Sequence, residues 1–130
     1  MTLNIQGIHH VAIICSDYER SKAFYTDILG LTILCETYRS ERNSYKLDLK
    51  VDSSTQIELF SFPSAPIRPS YPEAQGLRHL AFSVANLEES VNSLISRGIE
   101  VEAIRMDELT GKRFTFFADP DGLPLELYEA

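Results

Sequence analysis

Apolar residues follow two kinds of spacing along this chain, and the two kinds alternate in the same order twice. Residues 9–15 alternate, with Val11 and Ile13 pointing one way and His10, Ala12 and Ile14 the other, which predicts a strand. Asp17 or Ser16 can then cap a helix, and Ser16-x-x-Glu19 fits a capping box. Phe24, Tyr25, Ile28 and Leu29 share one face of that helix, and Gly30 ends it. Strands are predicted near 31–38, 45–51 and 56–62. The second half repeats the scheme: a strand over 78–84, a cap at Asn86 with Glu89 three residues on, and a helical face of Leu87, Val91, Leu94 and Ile95 stopping at Gly98. Strands near 101–105, 113–118 and 124–128 complete it, the last two joined by the turn Asp119-Pro120-Asp121-Gly122.

The two halves align without gaps. His10-Val-Ala-Ile-Ile-Cys-Ser-Asp17 superposes on His79-Leu-Ala-Phe-Ser-Val-Ala-Asn86, and Gln56-Ile-Glu58-Leu-Phe60 on Pro124-Leu-Glu126-Leu-Tyr128. The expected fold class is therefore α+β, one domain built from two βαβββ modules, the first over 5–62 and the second over 76–130. Between them, 63–75 carries Pro63, Pro66, Pro69 and Pro72, a spacing that suits an extended spacer without internal backbone bonds. A module of about 60 residues buries too little apolar surface to be stable alone, so the two should share one structure. The simplest arrangement is two curved sheets facing one another with the helices outside, a cup.

Composition narrows the function. The chain has 130 residues, with 12 Lys and Arg against 19 Asp and Glu, a formal charge of −7. No broad basic surface is available for phosphates, so nucleic acid is not expected as a partner. No stretch approaches the roughly 18 apolar residues of a spanning helix, and the first residues lack a signal-peptide pattern, so no membrane partner and a cytoplasmic location are expected. Cys15 and Cys35 lack metal or redox spacing and are expected to act as small buried hydrophobes.

Strand alternation assigns the chemistry. If Val11, Ile13, Ile57, Leu59, Leu125 and Leu127 pack under the helices, then His10, Glu58, His79 and Glu126 face the other side. A carboxylate in the middle of an apolar strand is costly to bury without a partner, and here two occupy repeat-related positions. A divalent ion relieves that cost, and two imidazoles with two carboxylates suit Zn, Ni, Co, Mn or Fe(II). His9 lies on the opposite face, has Arg78 at its repeat position, and is expected to be structural. The polar run Tyr38-Arg39-Ser-Glu-Arg42-Asn-Ser-Tyr45-Lys46 suggests a mobile flap carrying Arg39 and Arg42 to an anionic substrate; Arg113, Arg68 and Lys112 are further candidates.

The motifs His9-His10-Val-Ala-Ile, Ser21-x-x-Phe24-Tyr25-x-x-Ile28-Leu29-Gly30, Gln56-Ile-Glu58-Leu-Phe60, Gly76-Leu-Arg-His79-Leu-Ala-Phe and Asp119-Pro-Asp-Gly-x-Pro-Leu-Glu126-Leu resemble the vicinal oxygen chelate superfamily, the glyoxalase I-like proteins, over nearly the whole chain. The resemblance implies a metal cup, many members being homodimers, with His10, Glu58, His79 and Glu126 as ligands. It also implies a lyase or isomerase that moves a proton next to a carbonyl of a small metabolite, with Glu126, or Glu58 for a substrate of the opposite hand, as the base. Glyoxalases carry an arginine four residues after the first histidine ligand; here that position is Ile14, which argues against glutathione as cosubstrate. Two further functions are compatible with the resemblance: a non-haem Fe(II) dioxygenase using His10, His79 and Glu126, and a metal-free antibiotic-binding module.

Overall fold

The structure is a computed structural model that describes residues 2–130. It is α+β, with two four-stranded mixed sheets and two short α-helices. The chain divides into two compact units, the first ending at Pro66 and the second running from Ile67 to Ala130.

In the first unit, β1 (His10–Cys15), β2 (Thr32–Arg39), β3 (Ser44–Lys50) and β4 (Gln56–Ser61) form a sheet in the order β1-β4-β3-β2, with α1 (Tyr18–Ala23) after β1. The β1–β4 pair is parallel and the remaining pairs antiparallel. Asp17 caps α1 by accepting from the Arg20 backbone N–H at 3.2 Å. The predicted helix to Gly30 changes character part-way, because Phe24–Ile28 winds as a π-helical turn. The Thr26 hydroxyl donates to the Lys22 carbonyl at 2.7 Å, occupying the acceptor that an α-helical N–H would use. Gly30, at φ 76°, then releases the chain in the left-handed conformation that favours glycine. Ile13, Cys15, Leu47, Leu49, Ile57 and Leu59 are buried together with Phe24 and Tyr25, so the helix-facing side of the sheet is the predicted one.

The segment predicted as a mobile flap is instead an ordinary hairpin. β2 runs through Tyr38 to Arg39, a 3₁₀ turn covers Ser40–Arg42, and β3 begins at Ser44 in register with Arg39. Its polarity has another cause: Tyr38 hydrogen-bonds Asn43, which takes the left-handed position at φ 48° and closes the turn.

The second unit has β5 (Leu80–Val84), α2 (Leu87–Ser96), β6 (Arg105–Met106), β7 (Arg113–Ala118) and β8 (Pro124–Glu129), with sheet order β5-β8-β7-β6. Asn86 caps α2 by accepting from the Glu89 N–H at 3.0 Å. The strand predicted over 101–105 shortens to two residues, because the Thr115 hydroxyl takes the Glu102 carbonyl at 2.7 Å in place of a ladder N–H. The strand predicted from residue 78 begins at Leu80, which leaves His79 just ahead of it. Leu87, Val91, Leu94, Phe117, Leu123, Leu125 and Leu127 form the core. Cys15 is buried, as expected of a small hydrophobe, and its thiol donates to the Phe60 carbonyl at 3.3 Å; Cys35 is instead exposed on β2. Among the described residues no helix is long and apolar enough to cross a membrane.

Candidate metal centre

In the first unit the register fixes what shares a face with His10. Ala12 lies opposite Glu58, Asp48 opposite Glu58 on the other side, and Lys46 opposite Phe60. Because paired residues point the same way, His10, Ala12, Lys46, Asp48, Glu58 and Phe60 form one surface, away from α1. The His10 Nδ1 stands 3.4 Å from Glu58 Oε2, and the Lys46 ammonium is 3.9 Å from Glu58 Oε1 while donating to Asp48 at 2.8 Å. That hydrogen bond is the main reason the Lys46 amine sits above its ordinary range.

The second unit repeats the arrangement with different neighbours. Ala81 lies opposite Glu126 on one side and Phe116 on the other. His79 Nε2 is 3.1 Å from Glu126 Oε1, and the Phe116 ring meets the imidazole edge to face at 5.0 Å. Arg78 approaches His79 Nδ1 at 3.3 Å. Glu73 grips Arg78 and is held below the usual carboxylate range by it. His79, Arg78, Arg105 and Phe116 line a cleft of about 1120 Å³ within this unit.

Each unit thus joins one imidazole to one carboxylate, and the Glu58 and Glu126 side chains are only 13% and 12% exposed. No group of three or more His, Cys, Asp or Glu side chains placed to hold a metal ion occurs among the described residues. The donor chemistry nonetheless fits a first-row divalent ion. Neutral imidazole and carboxylate are its preferred N and O ligands, and apart from the histidines, Lys46 at Glu58 is the one cation within ion-pair distance of either carboxylate among the described residues. His9, expected to be merely structural, contacts the His10 ring, Nδ1 to Nδ1 at 2.9 Å, so it orients the imidazole it precedes.

The remaining candidates separate. Arg39 lies on the His10 and Glu58 face, since it pairs with Ser44 while Thr37 pairs with Lys46, and its guanidinium sits 4.9 Å from the Phe60 ring centroid. Arg42 lies over Phe62 at 5.4 Å. Arg113 does not join them. It alternates with the buried Thr115 and Phe117, which places it on the α2 side of its sheet, and its guanidinium is taken by Glu129 and by Glu88 at the start of α2. That pairing lifts Arg113 above its ordinary range and makes it a clamp between strand and helix. Arg68 is likewise engaged, donating to Ser70 and the Leu77 carbonyl.

Sequence reasoning misses three residues near these pairs. Lys46 and Asp48 alternate with Leu47 and Leu49, so strand periodicity does hold a signal for the face they share with Glu58. Arg105, stacked over Phe114 and Phe116 at 5.1 and 5.6 Å, carries no such signal because its strand has only two residues.

The family model of the Glyoxalase/Bleomycin resistance protein/Dioxygenase superfamily matches residues 7–127. The uncharacterized protein YwkD of Bacillus subtilis is 64% identical over 125 residues, covering 96% of this chain and 98% of that protein. A crystal structure of a glyoxalase family protein from Enterococcus faecalis superposes with a TM-score of 0.88 at 54% identity, covering 95% of this chain and 98% of that one. More distant relatives are enzymes of different kinds. The lactoylglutathione lyase of Salmonella typhimurium is 30% identical over 125 residues (93% of this chain, 90% of that protein), and the metallothiol transferase FosB of Staphylococcus haemolyticus 31% over 126 (95% and 84%). A 2-epi-5-epi-valiolone epimerase of Actinomyces sp is 28% identical over 142 residues, covering 93% of this chain and 78% of that protein.

Proposed function

Since the chain belongs to the glyoxalase/bleomycin resistance protein/dioxygenase superfamily, we propose that it is a metal-dependent lyase or isomerase moving a proton next to a carbonyl of a small oxygenated metabolite. The observation that carries this reading is the repeated His–Glu pair, His10 with Glu58 and His79 with Glu126, each on the sheet face turned away from its helix. His10 with Glu58, and His79 with Glu126, are the residues that would hold a divalent ion, Zn, Ni, Co, Mn or Fe(II). When bound, it supplies Lewis-acid stabilisation of the negative charge that develops on the substrate oxygens.

The protein's own part is proton transfer. Glu126 accepts the proton from the carbon beside the carbonyl and returns it to the neighbouring atom; Glu58 takes this role for a substrate of the opposite hand. Glu126 is the better placed of the two, because Phe116 flanks it where Asp48 and its Lys46 partner flank Glu58. His79 and His10 orient the carboxylates through the contacts already described. Ile14, exposed on β1 where glyoxalases carry an arginine, supports a cosubstrate other than glutathione. The protein acts in this reading as a cytoplasmic homodimer.

Metal analysis of protein purified without chelator or affinity tag tests the first part. The expected result is a bound transition metal, or stoichiometric uptake when one is added; neither occurring would favour a sequestering module instead. Screening 2-oxoaldehyde hemithioacetals, acyl-CoA epimers and epoxides with several metals, and following solvent deuterium at the reacting carbon, tests the second. Glu126→Gln should retain metal and lose about a hundredfold or more of turnover. Full turnover by that variant would remove Glu126 as the base, and oxygen consumption with iron alone would mean a dioxygenase.

A further inference from the structure

We propose that Arg39, assisted by Arg42, forms a subsite for an oxyanion, a carboxylate or phosphate carried by the substrate, on the same sheet face as the His10–Glu58 pair. It deepens the functional reading above and rests on that reading only in assigning the anion to a substrate.

The backbone around Arg39 is fixed. It is the last residue of β2 and pairs with Ser44 across a hairpin closed by a 3₁₀ turn and the left-handed Asn43. Its guanidinium is positioned by rings: 4.9 Å from the centroid of Phe60 and 5.7 Å from Phe62, two rings nearly parallel at 7°. Phe60 stands two residues beyond Glu58 on β4, so the cation and the carboxylate share one surface. Arg42 brings a second guanidinium to the same Phe62 ring at 5.4 Å.

What the cation lacks is an acceptor. A guanidinium offers five N–H groups. Here Nη2 donates to the Ser44 hydroxyl at 3.1 Å, while Nε is sealed from solvent and meets no hydrogen-bond partner among the described residues. Neither Arg39 nor Arg42 has a carboxylate partner among them. Three other arginines do meet carboxylates: Arg78 is paired with Glu73, Arg105 with Glu102, and Arg113 with Glu129 and Glu88. In a chain with 19 acidic and 12 basic residues, carboxylates are abundant, yet none among the described residues meets this pair of arginines.

Stacking on a ring uses the face of the guanidinium and leaves its in-plane edge for bonding. The edge formed by Nη1 and Nη2, away from the sealed Nε, matches two oxygens of a carboxylate or phosphate. Arg42 adds a second charge, which favours the dianion over the monoanion.

The test uses the full chain, ¹⁵N-labelled and freed of metal, so that it reads the subsite independently of any turnover. Inorganic phosphate and acetate are titrated in turn, with sodium chloride at matched ionic strength as the reference, following the Arg39 Nε–H and Ser44 amide resonances. The expected result is a saturable shift with phosphate, acetate or both, absent with chloride, and binding at least about tenfold weaker in Arg39→Lys, which keeps the charge but not the fork. Saturation by phosphate alone, or by acetate alone, names the anion. The proposal is overturned if chloride reproduces the shift, if neither oxyanion saturates, or if Arg39→Lys, shown by circular dichroism to be folded, binds as the parent does. Oxyanion binding by a protein that takes up no metal would leave this subsite standing and remove the catalytic reading.

Discussion

The Lys46 ammonium stands 3.9 Å from the Glu58 carboxylate while donating to Asp48 at 2.8 Å, and among the described residues no lysine or arginine makes such an ion pair with Glu126. In the second unit the positions aligned with Lys46 and Asp48 across the ladder are Phe114 and Phe116. Duplicate ligand pairs therefore sit in unlike surroundings, one polar and charged, the other aromatic.

This asymmetry predicts the behaviour of Lys46→Met. Removing the cation leaves Asp48 and Glu58 directly opposite one another on one face, a like-charge pair that destabilises a sheet. It also makes the surface more negative where a divalent ion is proposed to bind. The melting temperature of the metal-free protein should fall, and its rise on adding Zn or Ni should exceed that of the parent. Thermal denaturation with and without metal checks both signs. An equal or smaller rise would show that Lys46 acts mainly by holding Glu58 in place.

A second charged network, away from the candidate centre, predicts a pH dependence. Tyr18 at the start of α1 hydrogen-bonds Glu36 on β2, and Lys22 donates to the same carboxylate at 2.8 Å. Lys22, and after it Tyr18, hold Glu36 below its ordinary value of 4.5. A lowered carboxylate contributes stability that is present above that ordinary value and is lost as pH falls through the lowered one. Burial, then the Glu36 contact, pushes Tyr18 above its ordinary 10.0. Its contribution is full below that value and declines above it, because the unfolded phenol ionises while the folded one stays protonated. Urea denaturation should therefore show stability falling on both the acid and the alkaline side, and Glu36→Gln should flatten the acid limb. An unchanged acid limb in that variant would place the titration elsewhere.

Much of the fold and of the candidate centre is legible in the amino-acid sequence. Alternation at Val11 and Ile13, and at Ile57 and Leu59, is enforced by a single buried face, so a slip of one residue would expose every large side chain; the pattern specifies one register only. The His–Glu pairs follow the same register because they occupy the complementary positions. The elements that differ from expectation are those where a side chain competes for a backbone acceptor: Thr26 at the Lys22 carbonyl and Thr115 at the Glu102 carbonyl. Periodicity carries no information about such competition. The expected flap fails for a different reason, since Tyr38, Tyr45 and Tyr18 pack on one another and give a polar-looking hairpin its own aromatic cluster.

Arg113 offers a discriminating control. Its guanidinium bridges Glu129 on β8 and Glu88 on α2, on the side of the sheet away from Glu126. Arg113→Met should lower the melting temperature while leaving metal uptake and phosphate affinity at the parent's values. Isothermal titration beside thermal denaturation separates the two effects. A loss of ligand affinity without loss of stability would return Arg113 to the substrate.

The turn before β8 sets the position of Glu126 and predicts the largest stability effect. Asp119 is buried, and its carboxylate accepts the backbone N–H of Asp121 at 2.9 Å and of Leu123 at 3.0 Å, while Gly122 takes φ 81°. These bonds fix where the chain re-enters the sheet, and Pro124 then pairs with Ala118 and Glu126 with Phe116. In Asp119→Ala both N–H groups lose their acceptor, and that of the buried Leu123 has no water to turn to, a cost of about 2 kcal/mol or more. Asp119→Asn keeps an acceptor oxygen in place and should recover part of that loss. Because a one-residue slip would turn Glu126 toward the core, metal uptake should fall with stability in the alanine variant and return with it in the asparagine one. Urea denaturation and metal titration of the same preparations measure the two together. Metal uptake that stays intact while stability drops would show that the β7–β8 ladder holds Glu126 without help from its turn.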